Sequence, residues 1–429
     1  MHPLKILLDQ RHQSELKGII SICTASPMVI EACFDYYKSV KSPLIVEATA
    51  NQVNQEGGYT GMKPQDYVDF VQKLAEKNQF PLDRLFLGGD HLGPLTWSKL
   101  PVEEAMQKAE VLVHDFVLAG FTKIHLDTSM KLADDGEVLL TETIAERGIR
   151  LMKVCEAAYL KRKEIYPDAL MPVYIIGSEV PIPGGAQEVE EGLEVTKVDD
   201  FKHTVEVYQD LMNKAGLGSV FERVLAVVVQ PGVEFSDASV HEYNPVKAKS
   251  LVQSLSLYPT LVFEGHSTDY QTKFGLKQMV DDNISILKVG PALTFALREG
   301  LFALAHIENA WVDSSKQSHF IELLEEIMLE NPSNWIKHYH GNEHELGIKR
   351  KYSFSDRSRY YMPDHRLEEA IKVLFENTKD VPYSLLSQFL PIQYRKVREG
   401  QLAYNPELWV KDVVHELLND YIYAVEKSQ

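Results

Sequence analysis

One pattern limits the fold of this chain more than any other. Between residues 17 and 312 a short β-branched run, a loop with Gly, Asn or Asp, and a longer stretch with helical apolar spacing recur in that order. The runs are "GIISICTA" (18–25), "PLIVEATA" (43–50), "RLFLGGDH" (84–91), "KIHLDTSM" (123–130), "PVYIIGSEV" (172–180), "RVLAVVVQPG" (223–232), "TLVFEGHST" (260–268) and "ISILKVGP" (284–291). Strands that alternate with helices pair in parallel, because a helix is the usual crossover between parallel neighbours. Eight such units predict an α/β fold, a closed (β/α)₈ TIM barrel whose chemistry sits at the C-terminal strand ends. An open doubly wound sheet is the alternative. No run is followed by the G-x-G-x-x-G that would favour it.

Past residue 312 the β signals fade into helical segments such as "HFIELLEEIMLENPSNWIKHY" and "PELWVKDVVHELLNDYIYAVEK". The expected organisation is a barrel over 1–312 and an α-helical extension over 313–429. The extension is rich in Tyr and Trp and is expected to pack on the barrel or on another subunit, so an oligomer is expected.

The formal charge of −18 opposes non-specific attraction to phosphate backbones and anionic membranes, so no nucleic-acid partner is expected. No apolar run approaches the roughly 18 residues of a membrane span, and "MHPLKILLDQRHQSELKG" is unlike a signal peptide, so a cytoplasmic protein without membrane partners is expected. The three cysteines, Cys23, Cys33 and Cys155, are widely spaced in apolar contexts and read as core.

Polar residues collect where the runs end. The second ends at Glu47 and enters "ATANQVNQEGGYTG", with Asn51, Gln52, Asn54, Gln55 and Tyr59. The third ends in Asp90-His91, the fourth in Asp127-Thr128-Ser129, the fifth in Ser178-Glu179, the sixth in Gln230, and the seventh in "EGHSTD" (264–269). Imidazoles and carboxylates converging from different strands suit a divalent cation such as zinc, manganese, nickel or iron. His91, Glu179 and His266 form the core of that expected site, with Gln230, Glu264 and Asp127 as further ligands or as groups behind them. His125 lies mid-strand and is expected to face the helices. His338, His340 and His344 in "HYHGNEH" are expected to be solvated surface residues. A Schiff-base mechanism needs a lysine inside the barrel. Lys123 begins its strand at the wrong end for that, and Lys288 reads better as a charge partner. G-x-S-x-G, P-loop and H-E-x-x-H motifs are absent from the sequence.

"EATANQVNQEGGYTGM", "GGDHLGP", "GFTKIHLDTSM", "EVPIPGG", "VVVQPGVEF", "HSTDYQT" and "LKVGPALTFALRE" resemble the Z-subunit family of class II tagatose-bisphosphate aldolase. The likeness continues through "YSFSDRSRYYMP" and "SQFLPIQYRKVREG" and so covers nearly the whole chain. It implies one of two activities. Some members are described as non-catalytic partners of a separate aldolase subunit; others look like metal-dependent ketose 4-epimerases.

Similarity to the catalytic class II aldolases implies that Asp90 is the proton-transfer acid, His91 a zinc ligand and Glu179 the strand-5 glutamate. This sequence departs from them at Gln230-Pro231-Gly232 and at Glu264, where histidines are expected, and at Gly290-Pro291-Ala292, where triose-phosphate contacts are expected. The chemistry that fits is retro-aldol and aldol reaction at C3–C4 of D-tagatose, D-fructose or their phosphates. In it Asp90 would move the C4 hydroxyl proton, Glu47 or Asp127 would be its counterpart, and Asn51, Gln52, Gln55, Ser267 and Lys288 would contact hydroxyl or phosphate groups.

Overall fold

A computed structural model describes residues 1–178 and 193–426. The eight runs become eight parallel strands: β1 (Ile19–Cys23), β2 (Leu44–Thr49), β3 (Leu85–Leu92), β4 (Lys123–Leu126), β5 (Val173–Ile176), β6 (Val224–Val229), β9 (Val262–Gly265) and β10 (Ile284–Val289). They close into a barrel in the order β1-β10-β9-β6-β5-β4-β3-β2. A short antiparallel hairpin, β7 (Glu234–Phe235) and β8 (Val240–His241), follows β6 and was not expected from the pattern.

Alternation along each strand divides the side chains between two cores. Ile20, Ile22, Val46, Ile124 and Leu126 face outward to the helix layer. Ile19, Ile45, Phe86, Val173, Ile175, Val228, Val262 and Ile286 fill the lower barrel. Leu4 and Leu8 of the helix Pro3–Asp9 join that lower cluster, so this helix plugs the bottom of the barrel. The apolar plug leaves the upper interior to polar groups.

The extension contains the helices Phe320–Glu330, Glu343–Tyr352, His365–Thr378, Tyr383–Phe389, Pro391–Arg398 and Pro406–Val425. The last packs against the barrel helices Pro27–Tyr37, Lys273–Asp281 and Pro291–Trp311. Its fully buried Trp409 belongs to the same core as the barrel helices. Gly300 allows the close approach: a Cβ there would lie 3.1 Å from Val410 Cα. Polar contacts fix the register, with Lys411 Nζ 2.8 Å from Glu31 and His415 Nε2 2.9 Å from the Ala32 carbonyl. The chain before β1 also pairs with the end of this helix, Lys17 N–H donating to Val425 O at 2.8 Å. The extension thus spans the seam where β1 meets β10. Among the described residues no helix is long and apolar enough to cross a membrane.

Candidate active site

Strict alternation would send Asp90 and His91 to opposite faces of β3. A bulge prevents it. Gly89 pairs with Ile124 and Leu92 with Leu126, so three steps on β3 match two on β4. His91 takes up the extra residue with φ of +47°, in the left-handed region that costs a non-glycine residue of order 1 kcal/mol or more. Both side chains are buried and both line the same cavity. The adjacent glycines serve packing: a Cβ on Gly88 would lie 2.5 Å from Glu47 Oε1, and one on Gly89 would lie 2.5 Å from Leu92 Cδ1.

Above the apolar plug three imidazoles form a triangle. Ring centroids are 4.9 Å apart for His91 and His125, 4.9 Å for His91 and His266, and 5.1 Å for His125 and His266. His125 therefore faces the barrel interior rather than the helices. It shares inward parity with Lys123, whereas Ile124 and Leu126 take the outer face.

Each ring is tied to a carboxylate. His91 Nδ1 is 2.8 Å from Asp127 Oδ2, His125 Nδ1 is 2.9 Å from Asp90 Oδ1, and His266 Nε2 is 2.9 Å from Glu264 Oε1. Such pairing orients an imidazole and leaves its other nitrogen as a lone-pair donor. Nε2 of His125 is buried without a partner among the described residues, as a ligand nitrogen would be. Asp90, His91, His125 and His266 can offer one ligand atom each, all within 4.8 Å of one another. The set fits a divalent cation. Burial pushes the His266 imidazole down to about 3, which keeps it neutral as a ligand must be. Burial would also lower His91, but Asp90 and Asp127 outweigh it and raise this group.

Beneath the triangle lies an ionic network. Lys123 Nζ is 2.6 Å from Glu47 Oε1 and 2.7 Å from Glu264 Oε2, with none of the three side chains exposed. Lys288 Nζ is 2.5 Å from Asp90 Oδ1 and also contacts Glu47. Lys123 thus lies inside the barrel, contrary to its reading as a strand-start residue at the wrong end. Burial works against its charge, but Glu264 and Glu47 raise the ammonium above its ordinary range, so it stays protonated and unsuited to Schiff-base formation. Burial likewise pushes the Asp90 carboxyl up. The charges of His91 and Lys288 and the hydrogen bond from His125 reverse this and hold it well below the usual carboxylate range.

The other expected residues are dispersed. Glu47 and Asp127 do not line the cavity; their carboxylates are engaged by the two lysines and by His91 and Ser129. Gln230 Oε1 turns back to accept from the N–H groups of Gly232 and Val233. Gln55 donates to the Lys108 carbonyl, away from the cavity. Asn51, Gln52, Ser267 and Lys288 line a cavity of about 690 Å³ together with Asp90, His91 and His266. Ser267, like His91, has a positive φ, +53°. Glu179 lies outside the described residues. His338 is half-buried, and His340 and His344 are exposed.

Three cavity residues carry no signal in the sequence pattern. Cys23, read as core, ends β1 with Sγ 3.7 Å from Asp90 Oδ2. Arg359 and Tyr360 reach the cavity from the extension.

A closed parallel barrel with a histidine and carboxylate cluster at its C-terminal strand ends defines a TIM-barrel protein with a candidate site at the end where such barrels carry their function. The family model for the D-tagatose-1,6-bisphosphate aldolase subunit GatZ/KbaZ-like proteins matches residues 4–426, and the chain belongs to that family. It is also 42% identical to a solved protein described as a probable tagatose 6 phosphate kinase from Sinorhizobium meliloti 1021, over 95% of this chain and 100% of that one, with a TM-score of 0.87. Two further structures are more distant. The fructuronate-tagaturonate epimerase UxaE from Cohnella laeviribosi is 13% identical over 96% of this chain and 82% of its own, with a TM-score of 0.46. The YdjI aldolase from Escherichia coli K12 is 13% identical over 87% and 97%, with a TM-score of 0.41. Neither is near enough to bear on function.

Proposed function

We propose that this protein binds a ketose, D-tagatose or D-fructose or a phosphate of either, and catalyses retro-aldol and aldol chemistry at C3–C4, as a 4-epimerase or an aldolase. The observation that carries this reading is the meeting of Asp90, His91, His266 and Lys288 at one wall of the cavity. A cation held by His91, His125 and His266 would supply Lewis acidity toward the sugar's carbonyl. Asp90, kept ionised by Lys288 and His91, is the base that takes the C4 hydroxyl proton as the C3–C4 bond breaks. Returning that proton to the C4 oxygen after the bond re-forms on the other face of the aldehyde inverts C4; release of the aldehyde with delivery of a proton to C3 of the enediolate completes a cleavage. Lys288 stabilises negative charge as it develops beside Asp90. Glu47 and Asp127 act as positioning residues, holding Lys288 and His91.

The test is turnover of D-fructose, D-tagatose and their phosphates by the purified chain with Mn²⁺, Ni²⁺ or Zn²⁺. Conversion lost in Asp90→Asn and His91→Ala supports the enzyme reading. A second reading, a non-catalytic subunit that supports a separate aldolase, is favoured by the family's description as an aldolase subunit. No turnover and no bound cation, together with stimulation of an added catalytic aldolase subunit, would establish that reading instead.

A further inference from the structure

The seat at which barrels of this kind commonly hold a phosphate is filled by the chain itself. That seat is the N-terminus of a helix near the seventh and eighth strands, where free N–H groups meet an anion. Here the helix Pro291–Trp311 follows the eighth strand, and the buried Asp269 carboxylate accepts from Gly290 N–H at 3.0 Å and Ala292 N–H at 2.8 Å. A phosphate at that position would meet a carboxylate already bonded to the donors.

Elsewhere in the same cavity stands a cation that, among the described residues, has no carboxylate partner. Arg359, half-buried, comes from the turn Arg357–Tyr360 of the extension and lines the cavity with Cys23, Gln52, Tyr59 and Asp90. Its guanidinium is held in place. Nη1 donates to the carbonyls of Ser355 and Asp356, the latter at 2.9 Å; Nη2 donates to the Tyr360 hydroxyl at 2.8 Å; and the Tyr360 ring centroid lies 4.4 Å from Cζ.

Among the described residues no carboxylate pairs with this group and none accepts from its Nε–H. Two carboxylates that feel its charge are committed: Asp269 to the helix N-terminus, and Asp356 to Arg298 Nε at 3.0 Å, Ser358 Oγ at 2.7 Å and Thr294 Oγ1 at 2.5 Å. A fixed guanidinium with donors left over is suited to bidentate binding of phosphate oxygens.

Cys23, Gln52, Tyr59 and Tyr360 line the same cavity as this group and Asp90. Cys23 Sγ lies 3.7 Å from Asp90 Oδ2 and 3.8 Å from Gln52 Oε1, and the Tyr59 ring meets Tyr360 at 4.9 Å. Resting on the ketose reading above, we propose that Arg359 anchors a terminal phosphate of the bound ketose, so that the extension supplies the phosphate subsite the barrel itself gives up.

Isothermal titration of the full-length protein with D-fructose, D-fructose 1-phosphate, D-fructose 6-phosphate and inorganic phosphate tests this in wild type, Arg359→Gln and Arg359→Lys. Expected is a preference of about 10-fold or more for one phosphorylated sugar over fructose, falling toward unity in Arg359→Gln and partly kept in Arg359→Lys. Melting curves identify any variant that fails to fold, and the wild-type preference is measured without a variant. A preference that survives Arg359→Gln in a folded protein overturns the anchor, as does its absence in wild type while fructose still binds. Inorganic phosphate bound through Arg359 with no ketose bound supports the anion site and overturns the ketose reading. Binding of none of the four overturns both.

Discussion

Asp127 Oδ2 accepts from Nδ1 of His91 at 2.8 Å, with both side chains buried, and so sets which nitrogen of His91 faces its neighbours. Two further donors, the N–H and hydroxyl of Ser129, hold the other Asp127 oxygen at 3.0 and 2.7 Å. Asp127→Asn removes the charge while keeping the shape. Affinity for Zn²⁺ is expected to fall roughly 10- to 100-fold, the usual effect of losing a carboxylate behind a ligating histidine. Calorimetric titration with the metal checks this; equal affinity in the variant would show that Asp127 does not orient a ligand.

Lys123 pairs with two carboxylates at once in the fully buried interior. Lys123→Met leaves Glu264 without its ammonium and Glu47 with only Lys288, and is expected to cost about 3–5 kcal/mol. Adding Glu264→Gln should recover part of that loss. Urea denaturation of the single and double variants measures both.

Glu31 joins the extension to the barrel through Lys411 at 2.8 Å and Lys77 at 2.6 Å. Burial pushes its carboxyl up, but the hydrogen bonds and charges of the two lysines outweigh this and bring it below 4.5. As pH falls, the unfolded chain therefore takes up this proton before the folded one does. The stabilisation is fully present above about 4.5 and is lost as pH drops through the lowered folded value. Glu31→Gln should lower Tm at neutral pH and flatten the fall of Tm between roughly pH 6 and pH 3. Parallel profiles in wild type and variant would exclude this linkage.

Gly93 closes against the fourth strand's exit: a Cβ there would lie 1.7 Å from the Asp127 carbonyl oxygen. Gly93→Ala must therefore shift the backbone that carries Asp127. It is expected to destabilise by roughly 1–3 kcal/mol and to weaken Zn²⁺ binding alongside Asp127→Asn. Gly136→Ala, with nothing within 4 Å of its Cβ, should change neither property. Melting curves with and without the metal compare them.

The barrel was legible because eight β-branched runs alternate with helical spacing, and each run became a barrel strand. Heights within the barrel were not. Lys123 pairs with Gly88, and Gly88 with Glu47, so β4 begins level with the middle of β2 and β3. This stagger is required to close a barrel, and no linear reading of a strand start contains it. It puts Lys123 among the carboxylates and His125 two residues higher, in the imidazole triangle. The bulge that turns Asp90 and His91 to one side is equally silent in sequence, because the extra residue is a histidine rather than a glycine. His91, His266 and Asp90, read from strand ends, and Lys288, read as a charge partner on the eighth strand, meet at the cavity. Gln230 and Gln55 were read the same way, but Gln230 Oε1 accepts from backbone N–H groups and Gln55 Nε2 donates to a backbone carbonyl, so both are turned from the cavity. Arg359 escaped because it arrives from a turn in the extension, where no strand periodicity marks a site.

The buried network described above also has an electrical balance. Lys123 and Lys288 face Glu47, Glu264 and Asp90, and Asp127 stands behind His91, so with the imidazoles neutral, as ligands must be, these side chains stand two negative charges from neutrality. Buried charge of one sign is costly in a poorly polarisable interior. A divalent ion among His91, His125 and His266 would cancel that excess in full. The barrel would then present an electrically neutral floor to whatever enters the cavity.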